Sequence, residues 1–384
     1  MVESDIDEAL RTLVQQISHI ESTKRGFAHA IRQILPAINL GKFPSLASDF
    51  LEPSLVSTVS PTNLAGLRIA GVDGGLIKKR YQSLDLIMKR AVGVVFSFQA
   101  EEGPEVDFYP SPFPNPVVKP IITTLPSNEL DQIASLERLL SELRTTIGII
   151  DEYHTDIILL DGSLLFHPHD RPSKETLANE KFQEVIALYK QIYNKVSKGK
   201  TILVGVVKDS RSRKFTSMLG EVLPHILRKQ QNFEKMKDID YRWLLNILRD
   251  CDILGSFLEA GERSCIFRHS PKSNNLTVEK SLSQWTSSIM VTYLKTVSND
   301  LPVRFEILSR PDEATAVMDK ALAAILPISS LHQEYGMPTP IVEADTRARI
   351  SKNEADMVVD RLMALSGLAY ATLERRRSRN PFGG

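Results

Sequence analysis

Two aspartates follow apolar runs typical of buried strands, and a glycine comes after each. Asp73 follows the run 67–72, and Asp161 follows the run 155–160. An acid at the end of a buried strand lies at the sheet edge, and the glycine permits a sharp turn. If the strands are neighbours, the carboxylates repel each other unless a cation or proton intervenes. Oxygen ligands of this kind suit Mg²⁺ or Mn²⁺. The pattern predicts a divalent-metal site, the alternative being two turn-capping aspartates.

Basic residues stand close to these acids in the sequence. Lys208 follows the apolar run 201–207, where a lysine can hold a phosphate or stabilise charge in phosphoryl transfer. Further basic runs can follow a nucleic-acid backbone, although each can equally be a solvated surface. These are Lys78, Lys79 and Arg80, then Arg211, Arg213 and Lys214, and the basic tail 375–379.

Other motifs are weaker or missing. His167 and His169 flank a proline without a cysteine or third histidine nearby, which favours a loop over a metal site. The sequence contains no Walker motif, no GxGxxG and no Gly-x-Ser-x-Gly, which disfavours P-loop ATPases, dinucleotide-binding enzymes and elbow hydrolases. In the segment 336–345 the prolines predict an extended approach into a short strand, with Asp345 opening the next segment.

The elements that must position these residues alternate between strands and helices. Hydrophobic periodicity predicts a helical N-terminal segment over about 6–40, a Pro/Ser-rich connector, strands 67–72 and 91–98 with a hairpin arm 78–89 between them, helix 130–150, strand 155–160, helix 178–195, strand 201–207, a mostly helical stretch 218–285 broken around 262–280, strands 289–294 and 303–307, and a final helix 352–375. This alternation predicts an α/β class with a mixed sheet and a helical insertion.

Composition and the terminal sequence predict the compartment in which the protein works. The 384 residues carry a formal net charge of zero, so nucleic-acid binding would need a local basic surface. Two cysteines, Cys251 and Cys265, cannot build a disulfide framework or a zinc finger, which predicts a reducing compartment. The acidic N-terminus does not resemble a secretion signal, and no apolar run approaches the ~20 residues that span a bilayer. We expect a cytoplasmic protein that does not enter a membrane.

Four segments together resemble the NurA nucleases. They are 71–75, 159–164, 206–210 and 337–345, and they occur in the family's order over roughly 66–350. The resemblance implies an RNase H-like core with a mixed central sheet, plus an N-terminal helix and a helical insertion. The corresponding division is an N-terminal helical segment 1–60, a nuclease domain 61–350 with an insertion at about 218–285, and a C-terminal helix and tail 351–384.

The resemblance also assigns the acidic residues. It implies that Asp73 and Asp161 are metal ligands, and that the family's glutamate, on the helix before the second aspartate strand, is Glu142, with Glu137 as the alternative. Archaeal members use a tyrosine and a histidine near the C-terminus, where this sequence has Met337 and Asp345. An aspartate still binds a hard cation, so Asp345 can complete the site. The missing tyrosine hydroxyl has only nearby Tyr335 as a substitute.

The implied function is hydrolysis of DNA phosphodiester bonds by one or two Mn²⁺ or Mg²⁺ ions, with Lys208 at the phosphate. Such an enzyme would act as a single-strand endonuclease, a 5'-3' exonuclease or both, in DNA end processing and recombinational repair. The expected partners are a HerA-type hexameric ATPase translocase and a second copy of the chain. The alternatives are a catalytically inactive DNA-binding or adaptor subunit of the same fold, and a sugar-kinase-like ATPase.

Overall fold

The chain folds into two compact units, each built from separated stretches. A computed structural model describes residues 2–43, 49–82, 84–123, 125–166, 171–269 and 282–366. Unit 1 comprises residues 1–62, 206–274 and 287–337, and unit 2 comprises 63–205, 275–286 and 338–384. The sequence predicted three consecutive segments instead, and those boundaries stay a prediction. No helix within the described residues is both long and apolar enough to cross a membrane.

Unit 1 combines a helical bundle with short strands. Its elements are helices α1 (Val2–Ile34), α4 (Lys214–Ile226), α5 (Gln230–Met236), α6 (Tyr241–Ile247), α7 (Asp250–Phe257) and α9 (Ala314–Ser329), the 3-10 turns Leu35–Ala37 and Leu40–Lys42, and strands β1 (Val56–Thr58), β8 (Glu262–Ser264), β9 (Phe267–Arg268), β10 (Ile289–Leu294) and β11 (Val303–Leu308). Strand β10 pairs antiparallel with β8, β9 and β11, and β8 pairs with β1.

The core of unit 1 confirms the predicted N-terminal helix and most of the predicted helical stretch. The C-terminal half of α1 inserts Phe27 and Ile31 among buried residues of α4 to α7, such as Leu219 and Leu254. Within the stretch predicted as helical, β8 and β9 form two short strands, and residues 270–281 lie outside the described part of the chain. The late strands predicted at 289–294 and 303–307 are confirmed as β10 and β11.

Unit 2 carries the long strands and the acidic residues of interest. Its elements are strands β2 (Arg68–Arg80), β3 (Asp85–Ser97), β4 (Glu105–Tyr109), β5 (Val117–Ile121), β6 (Ile157–Asp161) and most of β7 (Ile202–Val207), and helices α2 (Ser127–Tyr153), α3 (Leu177–Lys198), α8 (Ser283–Thr286), α10 (Thr339–Ala348) and α11 (Lys352–Ser366). Helices α2 and α3 confirm the helices predicted at 130–150 and 178–195. The end of the predicted final helix and the basic tail fall outside the described residues.

The sheet of unit 2 has the strand order β4-β3-β2-β6-β7. Strands β2, β3 and β4 form an antiparallel meander, and β5 also pairs with β3. On the other side of β2, strand β6 pairs parallel to it through four residue pairs. A mixed sheet with α2 joining the meander to β6 confirms the predicted α/β class, and its order is that of the RNase H-like core that was expected.

Strand β2 is longer than the sequence predicted. The prediction ended the strand at Asp73, which is wrong, because β2 continues through Gly74 and Gly75 to Arg80. Its partner β3 remains in register along the whole length, from Arg68 opposite Ser97 to Arg80 opposite Asp85. A continuous antiparallel partner satisfies the backbone groups that would otherwise favour a turn at Asp-Gly. What ends beside Asp73 is the parallel pairing with β6.

The segment predicted as a strand near Ile341 is instead helix α10, so that prediction is wrong. Pro340 lies in the first helical turn, where its missing N–H costs nothing. The buried residues Pro340, Ile341, Ala344 and Ala348 then recur at helical spacing and pack on β2 and β3. Asp345 consequently lies inside a helix and does not open a new segment.

Candidate metal and nucleic-acid site

Asp73 and Asp161 lie side by side on neighbouring parallel strands. The last register pair of β2 and β6 joins Val72 to Leu160, and the two aspartates are the next residues. Neighbouring strands are about 4.8 Å apart, and residues in register share a face of the sheet. Asp73 is buried, with its Oδ1 accepting from the Gly74 N–H at 2.6 Å, whereas Asp161 is partly exposed. The two aspartates are therefore neighbours in the sheet, and their role as a pair of metal ligands stays a prediction.

Glycines in β2 allow helices to approach both faces at this point. A Cβ on Gly75 would lie 1.9 Å from the carbonyl oxygen of Ala348, and one on Gly71 would lie 2.3 Å from the backbone of Pro340, both in α10. A Cβ on Gly74 would instead lie 2.5 Å from Oε1 of Glu142. Since successive side chains alternate between faces, Asp73 belongs to the α10 face and the Glu142 carboxylate reaches the strand from the α2 face.

Glu142 is the glutamate of α2 that the structure places against β2, at Gly74. It lies in the middle of α2, its side chain is almost fully buried, and its carboxylate packs against the residue following Asp73. Arg138, one turn earlier in α2, places Nη1 3.3 Å from Oε1 of Glu142 and 3.4 Å from the Gly74 carbonyl oxygen. Sequence reasoning missed Arg138, although its i, i+4 spacing from Glu142 was a usable signal.

A pocket of about 570 Å³ opens beside α2 and the end of β6, and Asp73 is not among the described residues that line it. Glu142, Asp161 and Arg138 line it, together with apolar and aromatic side chains such as Phe166 and Tyr189. Its volume falls within the range of small-ligand sites, roughly 300–1,000 Å³. The pocket thus combines acidic oxygens and one guanidinium with surfaces on which a flat ring can pack.

Glu137, the alternative to Glu142, has a different role. It is buried and accepts hydrogen bonds from Lys89 and Lys119. Burial raises the pKa of Glu137, but the hydrogen bonds from Lys119 and Lys89 and their positive charges outweigh burial, so the pKa lies below its ordinary value. Two lysines already compensate this carboxylate, which makes it a poor candidate for a metal ligand.

Asp345 lies on α10 rather than at its end. Its Oδ2 pairs with Nη2 of Arg349 at 3.0 Å, and the side chain is partly exposed. Arg347 stacks on Phe108 of β4, with 4.6 Å between its guanidinium carbon and the ring centre. Because a helix turns ~100° per residue, Asp345 projects about 160° away from Arg347, from the flank of α10 opposite β4. That flank is the one towards β6, and a metal role for Asp345 stays a prediction.

The basic residues of β2 that were predicted to bind nucleic acid already form ion pairs with acidic side chains. On the β2 end of the hairpin, Lys78 and Arg80 both pair with Asp131, at 2.6 and 2.9 Å, and Lys79 pairs with Asp356 at 2.8 Å. The hydrogen bond from Lys78 and the charges of both cations lower the pKa of Asp131. DNA contact by these residues stays a prediction.

The remaining predicted basic residues belong to unit 1. Arg211 is exposed, and Arg213 donates from Nη2 to the Leu245 carbonyl at 2.7 Å. Lys214 donates to the Arg268 carbonyl at 2.7 Å, and burial lowers its pKa. Lys208 follows β7 and is partly buried. Their roles at a phosphate stay predictions.

The histidine pair and the residues at the family's tyrosine position were also singled out in the sequence. His167 and His169 lie outside the described residues. Met337 is buried and Tyr335 is about half exposed, both in unit 1.

Across the described ranges, no group of three or more His, Cys, Asp or Glu side chains is close enough together to hold a metal ion as it stands. The structure therefore presents adjacent carboxylates rather than a complete coordination shell.

Comparison with known protein families identifies the family of this chain. The NurA domain family matches residues 67–350, which is most of the sequence. The chain belongs to the NurA family. This confirms the resemblance based on the four short segments, and the matched region spans Asp73, Glu142, Asp161, Lys208 and Asp345. A search of curated proteins finds no match.

Solved NurA structures share the fold. The chain is similar to the NurA nuclease of Sulfolobus solfataricus, with 14% sequence identity, a TM-score of 0.53 and 99% of each chain covered. A second NurA crystal structure gives 11% identity and a TM-score of 0.50, covering 96% of this chain and 99% of that one. A third, of NurA bound to dAMP and manganese, gives 12% identity and a TM-score of 0.47, covering 94% and 97%.

Proposed function

We propose that this chain is a divalent-metal-dependent nuclease that hydrolyses phosphodiester bonds in DNA. The observation that supports it most is the adjacency of Asp73 and Asp161 at the end of the parallel β2–β6 ladder, in a chain of the NurA family. The Sulfolobus solfataricus protein, whose fold this chain shares, is a nuclease. The proposal extends to single-strand endonuclease or 5'-3' exonuclease action in DNA end processing and repair.

The chemistry of the available donors fits a hard cation. Asp73, Asp161 and Glu142 offer carboxylate oxygens, the ligands preferred by Mn²⁺ and Mg²⁺. The absence of a Cβ on Gly74 leaves the space that the Glu142 carboxylate occupies beside Asp73. When bound, such a cation activates water and stabilises charge on the attacking and leaving oxygens. Asp345 and Lys208 are the proposed fourth acid and phosphate-binding lysine.

The pocket supports binding of one nucleotide unit beside the acids. Asp161 and Glu142 lie on one side of it, where a backbone phosphate would meet a bound cation. The partly exposed Phe166 offers a surface for a base, and stacking on aromatic rings is tolerant of base identity. This arrangement favours an enzyme that acts on single-stranded or frayed DNA rather than one that reads sequence in a duplex groove.

Self-association is the second part of the proposal. The N-terminal half of α1 exposes five apolar side chains at helical spacing, each about half exposed. They are Ile6, Leu10, Leu13, Val14 and Ile17. Except for Val14, they share the heptad phase of Phe27 and Ile31, which are buried in unit 1. A monomer seldom leaves such a stripe uncovered.

A second copy of the chain is the occupant that we propose for this stripe, because the same apolar side chains on another copy can pack against it. We therefore propose a homodimer through α1, and a separate HerA-type ATPase as the motor, since the sequence contains no ATPase motif of its own.

The central test is cleavage of labelled single-stranded DNA with Mn²⁺, Mg²⁺ or EDTA. We expect cleavage that requires metal and falls by about two orders of magnitude or more in Asp73→Asn and Asp161→Asn, because a bound cation contributes several kcal/mol to the transition state. Asp151→Asn is the matched control, since Asp151 pairs with Lys195 on the surface of unit 2. DNA binding without cleavage under every metal would instead identify a non-catalytic adaptor.

A further inference from the structure

We propose that Arg138 is a stand-in cation, which holds Glu142 while the site is empty and binds the DNA phosphate once a divalent cation has replaced it. The inference rests on the proposed function, because it takes Glu142 to be a metal ligand. It adds a phosphate-binding residue to the proposed site.

Glu142 forms an ion pair with Arg138, one turn earlier in the same helix. Nη1 of Arg138 lies 3.3 Å from Oε1 of Glu142, within ion-pair distance. Gly74 makes room for both side chains, because a Cβ there would lie 2.5 Å from Oε1 of Glu142 and 3.0 Å from Cγ of Arg138. A buried carboxylate is costly without a compensating charge, and Arg138 provides that charge in the metal-free protein.

The two partners differ in their exposure to solvent. The Glu142 side chain is 2% exposed, whereas the Arg138 side chain is 41% exposed and reaches the pocket. Of the two partners, Arg138 is therefore the one with access to solvent and to an incoming phosphate. Within the described part of the chain, the contacts of the guanidinium are Glu142 and the Gly74 carbonyl, so most of its five N–H donors are available.

The charges around the pocket show why a cation is needed there. Its lining includes three carboxylates, on Asp131, Glu142 and Asp161, and Arg138 is the single basic residue among the described lining residues. Asp131 is already paired with Lys78 and Arg80. A phosphodiester entering beside Asp161 and Glu142 would meet net negative charge. A guanidinium offers two parallel N–H groups that match the phosphate oxygens.

The exchange makes two predictions of opposite sign. A divalent cation and Arg138 compete for the same Glu142 carboxylate, so removing Arg138 should strengthen metal binding. The same removal deprives the phosphate of its partner and should weaken DNA binding. A purely structural helix pair between i and i+4 predicts neither effect and only a small loss of stability. The opposed signs therefore distinguish the exchange from a structural role.

The experiment compares the full-length wild type with Arg138→Gln and Arg138→Lys. Calorimetric titration with Mn²⁺ alone measures metal affinity, and fluorescence anisotropy of labelled single-stranded DNA with Ca²⁺ measures DNA binding independently of cleavage. For Arg138→Gln we expect Mn²⁺ to bind about three- to tenfold more tightly and DNA about tenfold more weakly. Arg138→Lys keeps the positive charge but loses the two parallel N–H groups of the guanidinium. Its Mn²⁺ affinity should therefore stay near wild type, and its DNA affinity should fall less than that of Arg138→Gln.

Arg144→Gln is the matched control. Arg144 also lies in α2, pairs with Glu184 at 3.4 Å and is not part of the pocket lining, so both affinities should remain at wild-type values. Thermal melting of each variant confirms folding, and the lysine variant carries the test if the glutamine variant does not fold.

Each contrary result is informative. Mn²⁺ affinity that is unchanged or weaker in Arg138→Gln would overturn the exchange at Glu142, and unchanged DNA affinity would overturn the phosphate contact. Failure of the proposed function looks different: the wild type would bind Mn²⁺ and DNA and cut under no condition. In that case the opposed shifts in Arg138→Gln would still establish Arg138 as the stand-in cation of a non-catalytic site.

Discussion

The Glu142 carboxylate occupies the space that a side chain on Gly74 would need, with 2.5 Å between Oε1 and the position of a Cβ. Strand β2 thereby has a glycine where an acid from α2 must reach the residue next to Asp73. Strand interiors usually disfavour glycine, because it gains nothing from packing. Here its missing side chain is what lets the α2 acid pack against β2 at the residue next to Asp73.

This relationship predicts the effect of Gly74→Ala. The added methyl would displace the Glu142 carboxylate and the Arg138 stem, so metal-dependent cleavage should fall by about tenfold or more while the fold persists. The measurement is kcat/KM on labelled single-stranded DNA with saturating Mn²⁺. Gly103→Ala is the control, since a Cβ there meets nothing within 4 Å. Wild-type activity in Gly74→Ala would show that the position of Glu142 is not important.

Glu137→Gln should destabilise unit 2 without a direct effect on chemistry. The substitution leaves the buried ammonium of Lys89 without its carboxylate, and breaking such a buried pair costs about 3 kcal/mol. Chemical denaturation at neutral pH measures the loss. Glu152→Gln, at an exposed position of the same helix, should unfold like the wild type. A variant as stable as the wild type would contradict the structural role given to Glu137.

The same pair predicts a pH dependence of known sign. Burial raises the pKa of Glu137, but Lys119 and Lys89 together hold it below the ordinary value. A carboxylate with a depressed folded-state pKa stabilises the protein above its unfolded-state pKa and loses that contribution as the pH falls through the folded-state pKa. The stability difference between wild type and Glu137→Gln should thus be constant near neutral pH and shrink below about pH 4.5. A difference that grows on acidification would reverse this assignment.

The stripe on α1 predicts an oligomeric state. The double variant Leu10→Asp, Leu13→Asp should convert the proposed dimer into a monomer, because each charge would be buried against its counterpart across the interface. Light scattering coupled to size-exclusion chromatography gives the mass directly. Gln15→Asp, at an exposed position outside the stripe, should remain dimeric. If the wild type is monomeric at micromolar concentration, a second copy does not cover this surface and the dimer proposal is wrong.

The sequence by itself determined which side chains can do chemistry and on which elements most of them lie. Apolar runs of the right length, followed by Asp73 and Asp161, were enough to predict two buried strands, because burial on both faces leaves a continuous hydrophobic pattern. That the two strands are neighbours was only a condition of the prediction, and the register of β2 and β6 supplied it. Helical periodicity likewise placed Glu142 on α2. Local pattern carries this information, since it reflects which faces each element buries.

Tertiary structure decided the rest. That β2 continues past Asp73 depends on β3 lying in register beside it, and a strand cannot reveal its partner's length. That Asp345 lies within a helix depends on α10 finding a surface on β2 for Ile341 and Ala344, in a segment whose prolines fit either state. The packing of Arg138 and Glu142 of α2 against Gly74 required two separate elements, α2 and β2, to meet, and spacing along the chain does not encode that contact.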